Sequence, residues 1–212
     1  MKLKWFGHAC FLLTSNNGVR VLVDPFNEKV GYALPVVEAD IVTTSHGHGD
    51  HNYTAVVNGE FLLIDQPGNF SHNGIEIKGI SSFHDKVEGS LKGKNVIYRF
   101  NIDGLSVCHL GDLGHLLSPH QVEEIGTVDI LLVPVGGHYT IDASDALEVL
   151  QQLKPEVIVP MHFRTEVGGA ALAPVDRFLE YAGGGKILRK QEIELTRDTL
   201  RDIAGVIVLD YR

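Results

Sequence analysis

The segment Ser45-His46-Gly47-His48-Gly49-Asp50-His51 gathers three imidazoles and a carboxylate into six consecutive positions, 46–51. It directly follows the β-branched run DIVTTS at 40–45. In an extended loop, two histidines separated by one residue project to the same side. The interleaved glycines allow backbone turns that other residues resist. Asp50 and His51 are then expected to project from the start of a helix. Neutral imidazole with carboxylate is the donor chemistry of zinc, iron or manganese. A histidine-rich surface loop would gain little from following a buried strand so closely.

Other potential donors share that placement. Asp24 ends VRVLVD, His84 lies shortly after IEIKGI, Asp112 follows LSVCHL and Gly111, and His162 follows EVIVPM. Ligand sites gather at the carboxyl ends of strands. Singly, each could be a cap or turn residue. Together with the histidine-rich loop they would complete a coordination shell around two ions. No covalent nucleophile competes with this reading. GxSxG is absent, and Cys10 and Cys108 sit in apolar runs as expected of buried free thiols. There is no CxxC pair for structural zinc. Gly183-Gly184-Gly185-Lys186 lacks the GxxxxGK[ST] spacing of a phosphate loop and reads as a turn that ends a helix.

The elements that must position these residues begin as strands. Runs at 2–6, 10–15 and 19–24 are β-like, the last two joined by the Asn16-Asn17-Gly18 turn. Further strands are predicted at 40–45, 61–65, 75–80, 96–102 and 105–110, with Asp103-Gly104 closing a second hairpin. Helices then alternate with strands. Ser118-Pro119 opens a helix through Ile125, residues 142–153 carry helical spacing that Lys154-Pro155 stops, and 174–182 form a third helix. DILLVPV (129–135) and EVIVPM (156–161) are continuous apolar runs, as in strands buried on both faces. Strands near 187–195 and 205–210 finish the chain. Strands first and strand–helix units later predict two sheets with helices outside, a layered αββα sandwich of the α/β class. No repeat or linker divides the chain, so a single domain over 1–212 is expected.

At 44% hydrophobic and 21% charged residues, the chain has an ordinary globular balance and can bury a sizeable core. Its net charge of −9 opposes a general nucleic-acid surface. Neither an export signal nor a run of roughly 20 apolar residues appears, so a soluble cytoplasmic protein without membrane contact is expected. Nothing in the sequence sets the oligomeric state.

HxHxDH followed by a distant His, Gly-Asp and His resembles the metallo-β-lactamase superfamily, and does so from the FGHACFLL segment to Met161-His162. The segments GHACF, LVDPF, HLGDLGH, PVGGHYTID and PMHFRTE are similar to the branch of small hydrolases related to ascorbate-phosphate lactonase. The resemblance implies a four-layer αββα sandwich and two divalent transition-metal ions. Zinc is the expected metal, with manganese, nickel or iron as alternatives. It implies that His46, His48 and His84 bind the first ion, that Asp50, His51 and His162 bind the second, and that Asp112 bridges them. Asp24 would support the site from behind. His72 lies in the same interval as His84. His84 is favoured because it follows a strand and because Asp85 could orient its imidazole.

The chemistry implied is hydrolysis by a hydroxide that bridges the metals, with Asp50 holding a metal and orienting or deprotonating the water. The metals make the pocket locally cationic inside an acidic chain, which favours a small anionic substrate such as a lactone or phosphodiester. His8, His115, His138 and Arg164 are expected to contact it. The alternatives are an iron-dependent redox enzyme on the same ligands, for which this chain has no room for a flavin domain, and a metal-binding protein without turnover.

Overall fold

The computed structural model describes residues 1–212. Its N-terminal sheet is built by side-chain alternation. In β1 (Lys2–Gly7) and β2 (Cys10–Thr14), Leu3, Trp5, Phe11 and Leu13 enter the main core while Phe6, Cys10 and Leu12 pack on the opposite face. The Asn16-Asn17-Gly18 turn leads into β3 (Arg20–Val23), antiparallel to β2, where Val21 and Val23 face inward and Leu22 outward. The strands β4 (Val37–Glu38) and β6 (Val57–Asn58) form a separate short ribbon around β5 (Ile41–Thr43) in the sequence. β5 and β7 (Leu62–Ile64) extend the sheet in parallel with β3.

The second sheet opens with antiparallel β8 (Gly68–His72), β9 (Ile75–Phe83), β10 (Lys94–Ile102) and β11 (Leu105–His109). It turns parallel once helices join in. α1 (Pro119–Ile125) leads to β12 (Ile130–Pro134), and α2 (Ala143–Leu153) leads to β13 (Val157–Met161). Ser118 caps α1 in a capping box with Gln121, and Lys154 ends α2 in a left-handed conformation. Every residue of β12 and β13 is buried, as a strand covered on both faces requires. α3 (Val175–Ala182), β14 (Lys186–Ile187), β15 (Glu192–Glu194), α4 (Arg197–Ile203) and β16 (Gly205–Val208) complete the chain.

The sheet orders are β15-β1-β2-β3-β5-β7 and β14-β16-β13-β12-β11-β10-β9-β8. Their inward side chains share one core, which holds Trp5 and Phe11 from the first sheet with Tyr98 and Phe100 from the second. This is the predicted α/β sandwich. On the far face of the first sheet, however, the apolar cover comes from Phe26, Tyr32 and Ala39 in the connection after β3, with no residue of α1–α4. No helix is long and apolar enough to cross a membrane.

Three local expectations are corrected. The single strand expected near 187–195 is two, β14 on the edge of one sheet and β15 on the edge of the other, so this segment ties the sheets together. α4 was not anticipated, because Leu200 and Ile203 are its only large apolar residues; its sign is the capping box from Thr196 to Thr199. Asp50 and His51 stand in a turn and not at the start of a helix. The His51 and Asn52 amides both donate to the His48 carbonyl, and the Tyr53 amide is then drawn to Pro25 O, which stops propagation.

Candidate metal centre

β3 and β5 lie side by side in parallel, which sets the end of one beside the end of the other. Asp24, the residue after β3, therefore meets the loop after β5. Its carboxylate accepts from Ser45 N at 2.7 Å and Ser45 Oγ at 2.6 Å, and lies 2.8 Å from His51 Nδ1. Ser45 Oγ also lies 3.0 Å from His46 Nδ1. The loop is thus pinned at its base.

The second sheet supplies the other donors from its facing edge. His84 follows β9, Asp112 follows β11 by a three-residue step, and His162 follows β13 directly. His84, and not His72, joins the site: His72 pairs with Ile75 at the opposite end of β9. The donor atoms of His46, His48 and His84 lie within 4.8 Å of one another, as do those of His46, His51 and Asp112. Asp112 sits between the two histidine sets. Its Oδ2 is 3.1 Å from His84 Nε2, while Oδ1 is 3.3 Å from His51 Nε2 and 3.4 Å from His162 Nε2. Asp50 Oδ2 stands 3.9 Å from His51 Nε2 on the open side.

The position of Asp112 is itself held. Asn95 Oδ1 accepts from Asp112 N at 2.9 Å, and Asn95 Nδ2 donates to Ser82 Oγ and Leu110 O. Gly111 is required here, since a Cβ would come within 2.4 Å of Asn95 Oδ1 and φ is +57°. Sequence reasoning missed Asn95; a single buried amide just before the VIYRFNI run carries no motif.

The ionisation states suit metal binding. Burial, with the charge of His51, pushes the His46 imidazole down to about 3. Burial likewise takes His162 down to about 3. Burial works to raise Asp112, but the nearby His162 and His51 charges outweigh it and hold the carboxyl well below its usual range. For Asp50, too, burial is outweighed, by the His8 hydrogen bond and the His51 charge. The neutral imidazoles of His46 and His162 and the ionised carboxylates are in the forms that ligate; at His51 burial is outweighed by Asp112 and Asp24, which push the imidazole well above its usual range, so an ion bound there would displace a proton. His46 Nε2 and Asp112 Oδ1 are buried without any hydrogen-bond partner, an arrangement that is costly unless a cation faces them. The residues present therefore fit a metal centre.

The comparisons agree with this geometry. The profile of the β-lactamase superfamily domain matches residues 2–162. A UPF0173 metal-dependent hydrolase of Carboxydothermus hydrogenoformans is 32% identical over 78% of this chain and 85% of its own length. A solved structure from Thermotoga maritima, proposed to be a Zn-dependent hydrolase of the metallo-β-lactamase superfamily, is 43% identical. It covers 98% of this chain and 97% of its own with a TM-score of 0.83. This chain belongs to the metallo-β-lactamase superfamily of metal-dependent hydrolases. Igni18, a metallo hydrolase of Ignicoccus hospitalis, shares the fold at 23% identity, 92% and 99% coverage and a TM-score of 0.66.

In this metallo-β-lactamase-fold chain a cavity of about 770 Å³ opens onto the donors, with His48, Asp50, His84, Asp112 and His162 in its lining. Two cations that the sequence did not single out, Lys29 and Lys92, also line it, with Tyr139 on its wall. Of the expected substrate contacts, only His8 is there. His138 is exposed at the rim, and its carbonyl accepts from Lys92 Nζ at 3.0 Å. His115 turns away: its Nε2 accepts from Phe83 N and its Nδ1 bonds Leu116 O. Arg164 lines a separate cavity with Arg177, beyond the wall formed by Ala170, Ala171 and Leu172. Asp85 does not orient His84. Its carboxylate accepts from the amides of Val87, Gly89, Leu91 and Lys92 and so shapes the loop that carries Lys92 to the cavity.

Proposed function

We propose that the chain is a two-metal hydrolase of a small anionic substrate carrying a lactone or phosphodiester bond, with zinc as the native metal. The observation that supports two positions is the placement of Asp112, whose separate oxygens face His84 on one side and His51 with His162 on the other. His46, His48 and His84 would hold one ion, Asp50, His51 and His162 the other, and Asp112 both. Bound there, divalent ions would lower the pKa of a shared water to about 7 and polarise the substrate oxygen that gains charge.

The remaining work falls to side chains of the cavity. Asp50 Oδ2, at the edge of the donor cluster and open to the cavity, orients the attacking water and takes its proton. As the new bond forms at carbon or phosphorus and the ester C–O or P–O bond breaks, that proton returns to the departing oxygen. Lys29 and Lys92 hold the anionic end of the substrate, in place of His138 and Arg164, which lie outside the cavity. A net charge of −9 works against long polyanions, which argues for a small molecule over nucleic acid. Two unpaired buried thiols, Cys10 and Cys108, suit a reducing cytoplasm.

The test is a turnover screen of lactones, cyclic phosphodiesters and phosphomonoesters with added zinc, manganese, nickel or iron. Higher kcat/KM for a small phosphorylated lactone or cyclic phosphodiester than for single-stranded RNA or a neutral lactone is expected. The reverse order would overturn the substrate class.

A further inference from the structure

We propose that His8 is a protein ligand of the second metal position, beside Asp50, His51 and His162. The inference rests on the two-metal reading above and extends its ligand set to a residue outside the HxHxDH motif. His8 occupies the corner between β1 and β2 and is 7% exposed. Its Nε2 lies 3.1 Å from His51 Nε2 and 3.4 Å from Asp50 Oδ2. Its ring centre is 4.2 Å from that of His162, and the donor nitrogens of His8, His51 and His162 all fall within 4.8 Å of one another.

The atoms that surround His51 Nε2 are all of ligand type and converge on one point. Asp24 Oδ2 lies 2.8 Å from His51 Nδ1 and so turns the opposite ring nitrogen, Nε2, into the cluster. Around that atom stand Asp112 Oδ1 at 3.3 Å and Asp50 Oδ2 at 3.9 Å, both acceptors, together with His8 Nε2. One divalent cation satisfies them together, with His8 contributing its own lone pair.

The backbone is arranged to keep the imidazole there. His8 has φ of +53° and His162 +51°, left-handed conformations that side chains seldom adopt without surrounding support. The His8 carbonyl accepts from Trp5 Nε1 at 3.1 Å and from His162 N at 3.1 Å. His109 Nε2, 2.8 Å from the Ala9 carbonyl, anchors the next residue. A corner fixed from three directions, with its imidazole largely buried at the base of the cavity, is suited to ligation.

The experiment titrates metal-free wild type, His8→Ala and His8→Gln with cobalt(II), reading stoichiometry by equilibrium dialysis and the two sites by their visible d–d bands. Wild type is expected to take two ions. Both variants should keep the first and bind the second about 10- to 100-fold more weakly, with an altered band. In wild type loaded with an NMR-active cadmium isotope, scalar coupling to the His8 ring should accompany the couplings to His51 and His162, a readout that does not depend on how the variants fold. Two ions bound with unchanged affinity and bands in both variants, or cadmium coupling to His51 and His162 without His8, overturns the assignment of His8 alone. Fewer than two ions in wild type overturns the two-metal reading along with it.

Discussion

Asp24 Oδ2 lies 2.8 Å from His51 Nδ1, and both side chains are fully buried. A carboxylate in this position fixes the imidazole's tautomer and rotation, and it directs the opposite nitrogen at Asp112. Asp24→Asn keeps the volume and loses the anion. We expect zinc affinity to fall about 10- to 100-fold with the fold retained, measured by competition with a chelating dye. Affinity within twofold of wild type would remove Asp24 from this role.

Asp50→Asn addresses the proton step and the ligand set at once. Loss of a positioned base lowers rates by about 10²- to 10⁴-fold. We expect kcat to drop by at least that much while the far-ultraviolet circular dichroism stays that of wild type. Chelation should abolish the activity of the parent enzyme, and added metal should restore it. Full turnover by metal-free protein would contradict the mechanism.

Lys92 is the cation best placed to select an anion. Its ammonium also donates to the His138 and Tyr139 carbonyls, at 3.0 and 2.7 Å, which holds it at the cavity rim. Lys92→Ala should raise KM for an anionic substrate about tenfold and change kcat little, the signature of lost uniform binding. Arg164→Ala, on the other side of the wall, should leave KM unchanged. Equal effects of the two substitutions in steady-state kinetics would refute the assignment.

Gly111→Ala tests how tightly the Asp112 carboxylate is held. The new methyl would meet Asn95 Oδ1 at 2.4 Å and Ser45 Cβ at 2.6 Å, at a left-handed φ. A destabilisation of more than about 2 kcal/mol is expected from strain and overpacking combined, read from urea unfolding of the metal-free protein.

The two thiols should be inert in the folded state. Burial, reinforced at Cys10 by the charge of Asp24, raises that thiol well above its usual range, and burial pushes Cys108 up to about 12. A raised thiol remains protonated through pH 9, and its thiolate form gains ground only as pH rises further. Alkylation by iodoacetamide at pH 8 should therefore be negligible in the native protein and reach both cysteines in urea, as counted by mass spectrometry.

The candidate metal donors and the Asp24 that supports them were legible in the sequence because each ends or follows a strand of strong pattern: Asp24 after VRVLV, Asp112 after LSVCHLG, His162 after EVIVPM. Strand ends in a layered α/β fold converge on one edge, so the pattern carries spatial information. The buried strands β12 and β13 were legible for the same reason. The weakly patterned parts were not. β8 is a half-exposed edge strand, and its only sign is the Asn73-Gly74 turn before β9. α4 has too few apolar residues to show a period, and it is held by Arg197, which pairs bidentately with Asp129. Lys29 and Lys92 reach the cavity through loop geometry, and Asp85 acts through four backbone amides, neither of which leaves a trace in residue spacing.

The donors straddle the seam between the two sheets. Among the candidate donors, Asp50 and the histidines at 46, 48 and 51, with His8 as the proposed addition, come from the N-terminal sheet, and His84, Asp112 and His162 follow strands of the other. During synthesis, the first 51 residues already contain both imidazoles of HxH, but the last donor leaves the ribosome only with residue 162. A nascent chain thus holds a partial, low-affinity set until its halves have closed on each other. On the proposed ligand set, secure metal capture would be a late event that reports completed assembly, and a bound ion would act as a rivet against the halves parting.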